Sequence, residues 1–234
     1  MSKDTLTITI DGNKVTAKPG QTIMEAADDA GVYIPRLCWH KDLPNGGNCR
    51  VCTVKVDGRP QASCVFPAED GQNIENDTPE LKDFRCKLVE MHFVEGNHYC
   101  PSCEVSGECE LQATAYRLGM ITPTLPYMRP KHEVDASHPD IYIDRDRCIL
   151  CGRCIRASQT VDGKSVFGFV GRGVKTKIAV NAEHDLGETK ITKADKAAEV
   201  CPTGAIVVKR EGYSIPYGQR KYDKKPIGSD IEQK

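Results

Sequence analysis

Eleven of the twelve cysteines in this 234-residue chain fall into three groups: positions 38, 49, 52 and 64, then 100, 103 and 109, then 148, 151, 154 and 201. Such grouping is what metal ligation asks of a sequence, because several soft thiolates must converge on one point. Only 39% of the residues are hydrophobic and 6% aromatic, which is a lean core for a chain long enough for one to two domains. Three cysteine groups in three successive stretches therefore imply small modules, each tied together by its own metal group where apolar burial alone would be marginal.

Disulfides would instead demand an oxidising compartment. The opening MSKDTLTITIDGN carries no apolar leader-like run, and nowhere does an apolar stretch approach the roughly 20 residues of a membrane helix. The expectation is a cytoplasmic chain with no membrane span. A net charge of -1 and a pI near 6.6 give no global basic field for nucleic acid. Charge is uneven, however: between 209 and 225, Lys209, Arg210, Arg220, Lys221, Lys224 and Lys225 outweigh Glu211 and Asp223 by a net of +4, which reads as a docking arm.

Residues 5 to 17 alternate apolar and polar around Asp11-Gly12-Asn13, a hairpin signal. Ile23, Ala26, Ala27 and Ala30 then recur at helical spacing up to a C-terminal cap at Gly31. Two strands and a helix suggest a ferredoxin-like β-grasp. Cys38, Cys49 and Cys52 follow on a loop where Gly46 and Gly47 let backbone approach an inorganic core, and Cys64 comes after a short strand, Val51 to Val56. The spacing C-x10-C-x2-C-x11-C has a longer first interval than the plant-type ferredoxin pattern. Zinc is the alternative occupant of four thiolates, although zinc ribbons pair two close C-x2-C knuckles and only one occurs here.

That spacing resembles the N-terminal part shared by the large iron–sulfur subunit of respiratory complex I, iron-only hydrogenases and NAD-linked formate dehydrogenases. The resemblance implies a [2Fe-2S] cluster on Cys38, Cys49, Cys52 and Cys64. From Thr78-Pro79 a capped helix is expected, with Leu81, Phe84, Leu88, Met91, Phe93 and Val94 as its apolar stripe and an end near Gly96. Cys100, Cys103 and Cys109 are one ligand short of a site. In the related family an upstream histidine completes a [4Fe-4S] site in a segment like Asn97-His98, Cys100-Pro101-Ser102-Cys103 and Gly107-Glu108-Cys109-Glu110-Leu111-Gln112. The family spacing would put that histidine at 96, which is glycine; His98 is the preferred ligand, with His92 or another group as alternatives. Imidazole in place of thiolate removes one negative charge and should raise the reduction potential. Cys86, on the expected helix, reads as a small buried apolar residue.

Residues 122 to 139 hold four prolines and read as a non-helical linker. Cys148, Cys151, Cys154 and Cys201-Pro202 match half of the two-cluster bacterial ferredoxin template, C-x2-C-x2-C-x3-C-P in two copies. Its second set of positions falls on Ser158, Ile191, Ala194 and Ala197. All four ligands of one cluster are retained and all four of the other are lost, so a single [4Fe-4S] is expected on Cys148, Cys151, Cys154 and Cys201. VFGFVGRGVKT matches no phosphate-loop pattern and reads as strand and turn.

The fold class expected is α+β: a [2Fe-2S] β-grasp domain over 1–78, a small helical His/Cys3 [4Fe-4S] module over 79–121, the linker 122–139, a bacterial-ferredoxin-like module with one [4Fe-4S] over 140–210, and a basic tail over 211–234. No nucleotide fingerprint, supported nucleophile–base pair, or nickel, molybdenum or H-cluster signature occurs, so no catalytic residue is expected and the chemistry should lie on another chain. The resemblance covers about residues 1–210, ending where larger relatives continue, and this size is similar to the small diaphorase subunits of bidirectional or NAD-reducing nickel–iron hydrogenases. It implies an electron relay between a large diaphorase subunit carrying FMN and NAD and the hydrogenase small subunit, and through that the nickel–iron large subunit. An electron-transfer subunit of formate dehydrogenase or of a complex I-like enzyme is the alternative within redox biology; a zinc-stabilised interaction scaffold is the alternative outside it.

Overall fold

The computed structural model describes residues 5–128 and 131–233. Strands β1 (Leu6–Ile10) and β2 (Asn13–Ala17) pair antiparallel. Asp11 and Gly12, at φ 47° and 82°, form the two-residue turn that the sequence signals. Helix α1 (Ile23–Asp29) opens with a capping box, the Glu25 amide donating to Thr22 Oγ1 and the Thr22 amide to Glu25 Oε2. Strands β3 (Thr53–Val56), β4 (Arg59–Ala62) and β5 (Asn73–Glu75) complete a sheet of order β2-β1-β5-β3-β4, in which β1 and β5 run parallel. Ile8, Ile10, Val15 and Ile74 point from this sheet onto Ile23 and Met24 of α1, and Cys52 and Cys64 belong to the same core.

Helix α2 (Pro79–Glu95) starts at its Thr78 cap and ends at Gly96, as expected. Its buried face differs from the expected stripe. Phe84 and Met91 are exposed, whereas Leu81, Arg85, Val89, Glu90 and Val94 are buried. Arg85 donates to the Asn76 and Thr53 carbonyls and to Asn76 Oδ1, which staples α2 to the β-grasp sheet. Glu90 accepts from the Thr124 and Leu125 amides and from Lys87, which fixes the start of the proline-rich segment. Both charges are buried with partners at their ends: the two terminal nitrogens of Arg85 and both carboxylate oxygens of Glu90 are hydrogen-bonded. Cys86 is half-buried rather than buried, for it lies beside that face. Helix α3 (Glu110–Leu118) lies against α2 and ends at Gly119, at φ 75°.

The proline-rich stretch supplies β6 (Val134–Asp135), which joins β7 (Ile141–Asp144) and β10 (Ile206–Val208) in an antiparallel sheet. Helix α4 (Arg153–Thr160) and the short α5 (Lys196–Glu199) cover that sheet. Between them β8 (Phe167–Val170) and β9 (Lys177–Val180) form a hairpin, so the glycine-rich run is strand and turn.

The basic tail is folded back rather than extended as an arm. Arg220 reaches the Ser106 carbonyl, the Tyr222 amide donates to the Gly107 carbonyl, and Ile227 packs with Tyr33 and Ala113. The short α6 (Ser229–Glu232) ends the described chain, with Glu232 paired to Arg117. Of the tail's basic residues, Arg220 is also paired with Asp223 and Arg210 with Asp140. Among the described residues no helix is long and apolar enough to cross a membrane.

Candidate metal centres

The structure brings together the cysteines that the spacing groups. Cys38, Cys49, Cys52 and Cys64 are buried, from 0 to 8% exposed. They sit where the loop after α1 folds over the end of β3. Gly47 at φ 67° and Arg50 at φ 60° turn this loop back on itself. The Cys38 amide donates to Cys49 Sγ at 3.3 Å. Hydrogen bonds from the Cys49 and Cys64 thiols hold the Cys38 thiol down to about 2, while Cys49 itself is pushed up by that bond and by burial. Four thiols hydrogen-bonded to one another, with Cys38 and Cys52 both lowered by those bonds, suit a cationic core.

The middle group lies between α2 and α3. Cys100 opens a single 3-10 turn, Cys100–Ser102, that Cys103 closes, and Cys109 is the N-cap of α3, its sulfur accepting from the Gln112 amide. These three cysteines and His98 line one cavity with Phe93, Gln112, Arg147 and Gly204. His92 lines a different groove, beside Cys49 and Cys148. The shortened spacing has a geometric account. Gly96 is extended, the Asn97 amide donates to the Asp146 carbonyl at 2.6 Å, and the chain doubles back so that the His98 ring covers Gly96. A Cβ on residue 96 would stand 2.5 Å from His98 Nε2. That Nε2 is buried without a hydrogen-bond partner, and burial pulls the ring down to about 4, leaving it neutral, as a metal-bound imidazole must be.

Cys148, Cys151, Cys154 and Cys201 surround a third cavity walled by Ile143, Ile178, Pro202 and Ile206. Leu150 and Gly152, at φ 52° and 69°, bend the C-x2-C-x2-C loop so that its thiols converge. Burial pushes Cys148 and Cys151 up to about 12 and Cys154 well above its ordinary value. Where the second template cluster would sit, Ser158 accepts from the Val166 amide at 2.7 Å, and Ile191 and Ala197 are buried with Phe167 and Leu186. Apolar side chains fill that space.

The donor sets fit iron–sulfur groups. At the second and third sites the thiols line cavities, as a multi-atom cluster requires. Basic residues that sequence reasoning passed over stitch the three sites together. Arg153, 2% exposed, forks onto Glu110 at 2.8 and 2.7 Å and also donates to the Trp39 and Val200 carbonyls. Its partners adjoin Cys109, Cys38 and Cys201. Arg147, beside Cys148, reaches Glu104 at 2.6 Å and Cys103 Sγ at 3.8 Å. The signal that could have revealed them is the Arg-Cys adjacency at 147–148 and 153–154.

Three stretches of the chain match known families. Residues 3–79 match a 2Fe-2S iron–sulfur cluster binding domain, 85–123 the NADH-ubiquinone oxidoreductase-G iron–sulfur binding region, and 141–208 a 4Fe-4S single cluster domain. The chain is 43% identical to the gamma subunit of the NAD-reducing hydrogenase HoxS of Cupriavidus necator, over 92% of each chain. It is 34% identical over 86% of its length to the mitochondrial NADH-ubiquinone oxidoreductase 78 kDa subunit of Candida albicans, of which it spans 28%. A chain in a crystal structure of an NAD+-reducing [NiFe]-hydrogenase in the H2-reduced state superposes with a TM-score of 0.93 at 44% identity, covering 97% of this chain and 98% of that one.

Proposed function

This chain belongs to the iron–sulfur subunit family that includes the gamma subunit of NAD-reducing hydrogenase, and from that premise we propose that it is the electron relay of such an enzyme, passing electrons between a flavin- and NAD-binding diaphorase subunit and a nickel–iron hydrogenase module. The reading assigns Cys38, Cys49, Cys52 and Cys64 to a [2Fe-2S] cluster. His98, Cys100, Cys103 and Cys109 hold one [4Fe-4S] cluster, and Cys148, Cys151, Cys154 and Cys201 hold another. The module limits are 1–78, 79–121 and 140–210, and the compartment is the cytoplasm.

The observation that carries the reading is the junction at Arg153, where one guanidinium touches residues adjoining a cysteine of each group. Three sites joined so closely in one chain suit a succession of short transfers. When bound, the clusters supply one-electron redox chemistry, which lets the two electrons of a nicotinamide, split at a partner's flavin, travel singly. The chain's own residues bind and shield. Ile143, Ile178 and Ile206 keep water from the third site, and the β-grasp core encloses Cys52 and Cys64. Arg147 presents positive charge to Cys103 Sγ at 3.8 Å.

Purified anaerobically, the protein should carry about ten irons per chain with matching acid-labile sulfide. Zinc without sulfide would overturn the assignment. Affinity isolation of the native complex should bring down flavin and nickel with the chain; molybdenum or tungsten instead would transfer the role to a formate dehydrogenase.

A further inference from the structure

Arg156 stands at the seam between the first and third cysteine groups. It projects from α4 two residues after Cys154, and its guanidinium Nη2 donates to the Cys38 carbonyl at 2.5 Å while Nη1 donates to the Cys151 carbonyl at 3.3 Å. Both acceptors are the backbone carbonyls of cysteines, one from each group. The Cys151 carbonyl also accepts from Asn48 Nδ2 at 3.2 Å, and Asn48 adjoins Cys49. The seam is therefore held at two points by side chains and at both by residues in or beside the thiol sets.

The backbone is cut away to admit this fork. A Cβ on Gly46 would lie 2.5 Å from Arg156 Nη1, and one on Gly152 would lie 3.3 Å from Nη1 and 3.2 Å from Asn48 Nδ2. Arg156 Nε is buried without a partner, a cost that the chain bears while directing both terminal nitrogens at carbonyls. Lysine offers a single nitrogen on a flexible stem and cannot reproduce a planar fork spanning two fixed acceptors.

We propose that Arg156 is the positioning residue for electron transfer between the first and third centres, holding the Cys38 and Cys151 backbones at one fixed separation and forming the polar bridge between them. The inference rests on the ligand assignment proposed above. The transfer it serves moves one electron: the donor centre is oxidised by one, the acceptor reduced by one, and no bond or proton changes hands. Asn48 holds the second point of the seam, so loss of Arg156 loosens the contact without separating the modules.

Three variants of the full chain in its native complex test this. Arg156→Gln removes charge and fork, Arg156→Lys keeps the charge, and Gly46→Ala keeps the arginine but drives a methyl group onto Nη1. Iron content and the EPR signals of the first and third centres are read first; absence of either from the wild-type protein refutes the ligand assignment, whatever Arg156 does. With both centres present, intramolecular electron transfer after photoreduction should be slower than in the parent in all three variants, and spin–spin interaction between the two reduced centres should weaken. Reduction potentials should fall in Arg156→Gln alone, because only there is a positive charge lost. Transfer rate and spin coupling unchanged in Arg156→Gln and Gly46→Ala overturn the proposal, as does slowing in Arg156→Gln that Arg156→Lys fully restores, which would make the role one of charge. If Arg156→Gln fails to assemble, Gly46→Ala decides between these outcomes.

Discussion

Replacing Arg153 by methionine should cost more stability than any other single change at the modules' junction. Its guanidinium is 2% exposed and makes two bonds to the Glu110 carboxylate, at 2.8 and 2.7 Å, and two to the Trp39 and Val200 carbonyls, at 2.7 and 3.4 Å. Methionine leaves the carboxylate and both carbonyls short of a donor. Stranding one partner of a buried ion pair costs about 3–5 kcal/mol, and each unpaired carbonyl about 1–3 kcal/mol. These losses overlap and do not sum. The Glu110 side chain is 23% exposed, so water relieves part of its loss and the lower end, about 3 kcal/mol, is expected. For a chain of this length that is a fall in Tm of roughly 10 °C. The assay is thermal unfolding of the anaerobic holoprotein at one scan rate, followed by visible circular dichroism of the clusters. Because the partners adjoin Cys38, Cys109 and Cys201, all three chromophores should be lost earlier. Arg153→Met combined with Glu110→Leu removes both charges and should recover at least half of the loss. A single variant within about 0.5 kcal/mol of the parent, or two single changes that simply add, would refute the argument.

Other outcomes follow from individual sites. His98→Ala should abolish the middle centre's spectrum and leave the other two intact, whereas His98→Cys should retain a centre of lower potential, and His92→Ala should leave all three signals in place. Cys201→Ser should lower iron from about ten to about six per chain, measured after anaerobic purification. His92 is held down to about 4 by burial; the neutral ring therefore favours the fold above pH 6.5, and that contribution is lost as the pH falls from 6.5 towards 4. His92→Gln should remove about 3 kcal/mol from the pH dependence of unfolding over that window, and an unchanged acid-denaturation profile would contradict the burial.

The Asp11-Gly12 hairpin and the Thr78 and Gly96 limits of α2 were readable from sequence because each is set by neighbours a few residues apart, and the cysteine groups because their spacings match cluster-binding patterns even where, as at Cys201, the last member lies far along the chain. Periodicity misjudged the buried face of α2. It weights apolar side chains, and the face turns inward on Arg85 and Glu90, whose partners Thr53 and Leu125 lie 32 and 35 residues away. Arg153 meets the Trp39 carbonyl across 114 residues and Arg220 meets the Ser106 carbonyl across 114. No local pattern announces such pairs, and a positive charge is by default solvated. His98 lay between these cases: the need for a fourth ligand was legible, while its reach depended on the chain doubling back over Gly96.

The vacated half of the ferredoxin template shows what replaces a cluster as a structural tie. In the two-cluster design a second metal group would tie residue 158 to the segment 191–197. Here polar staples and apolar filling join the same elements. The Lys196 and Ala197 amides donate to Asp162 at 2.9 Å, Lys164 forks onto Asp195 at 2.7 Å, and Ile191, Phe167 and Leu186 close the interior. None of these contacts involves a proposed ligand, so this corner should hold without iron, whereas the loops around Cys38, Cys49 and Cys148 should take their order from their metal groups. Hydrogen exchange on the iron-depleted protein therefore should show protection kept over 166–200 and lost over 36–52 and 145–152. Uniform loss across both regions would mean that the apolar filling does not stand alone. In that case Ile191→Ala, which should cost about 2–5 kcal/mol in a self-supporting core, would be nearly silent in the apoprotein.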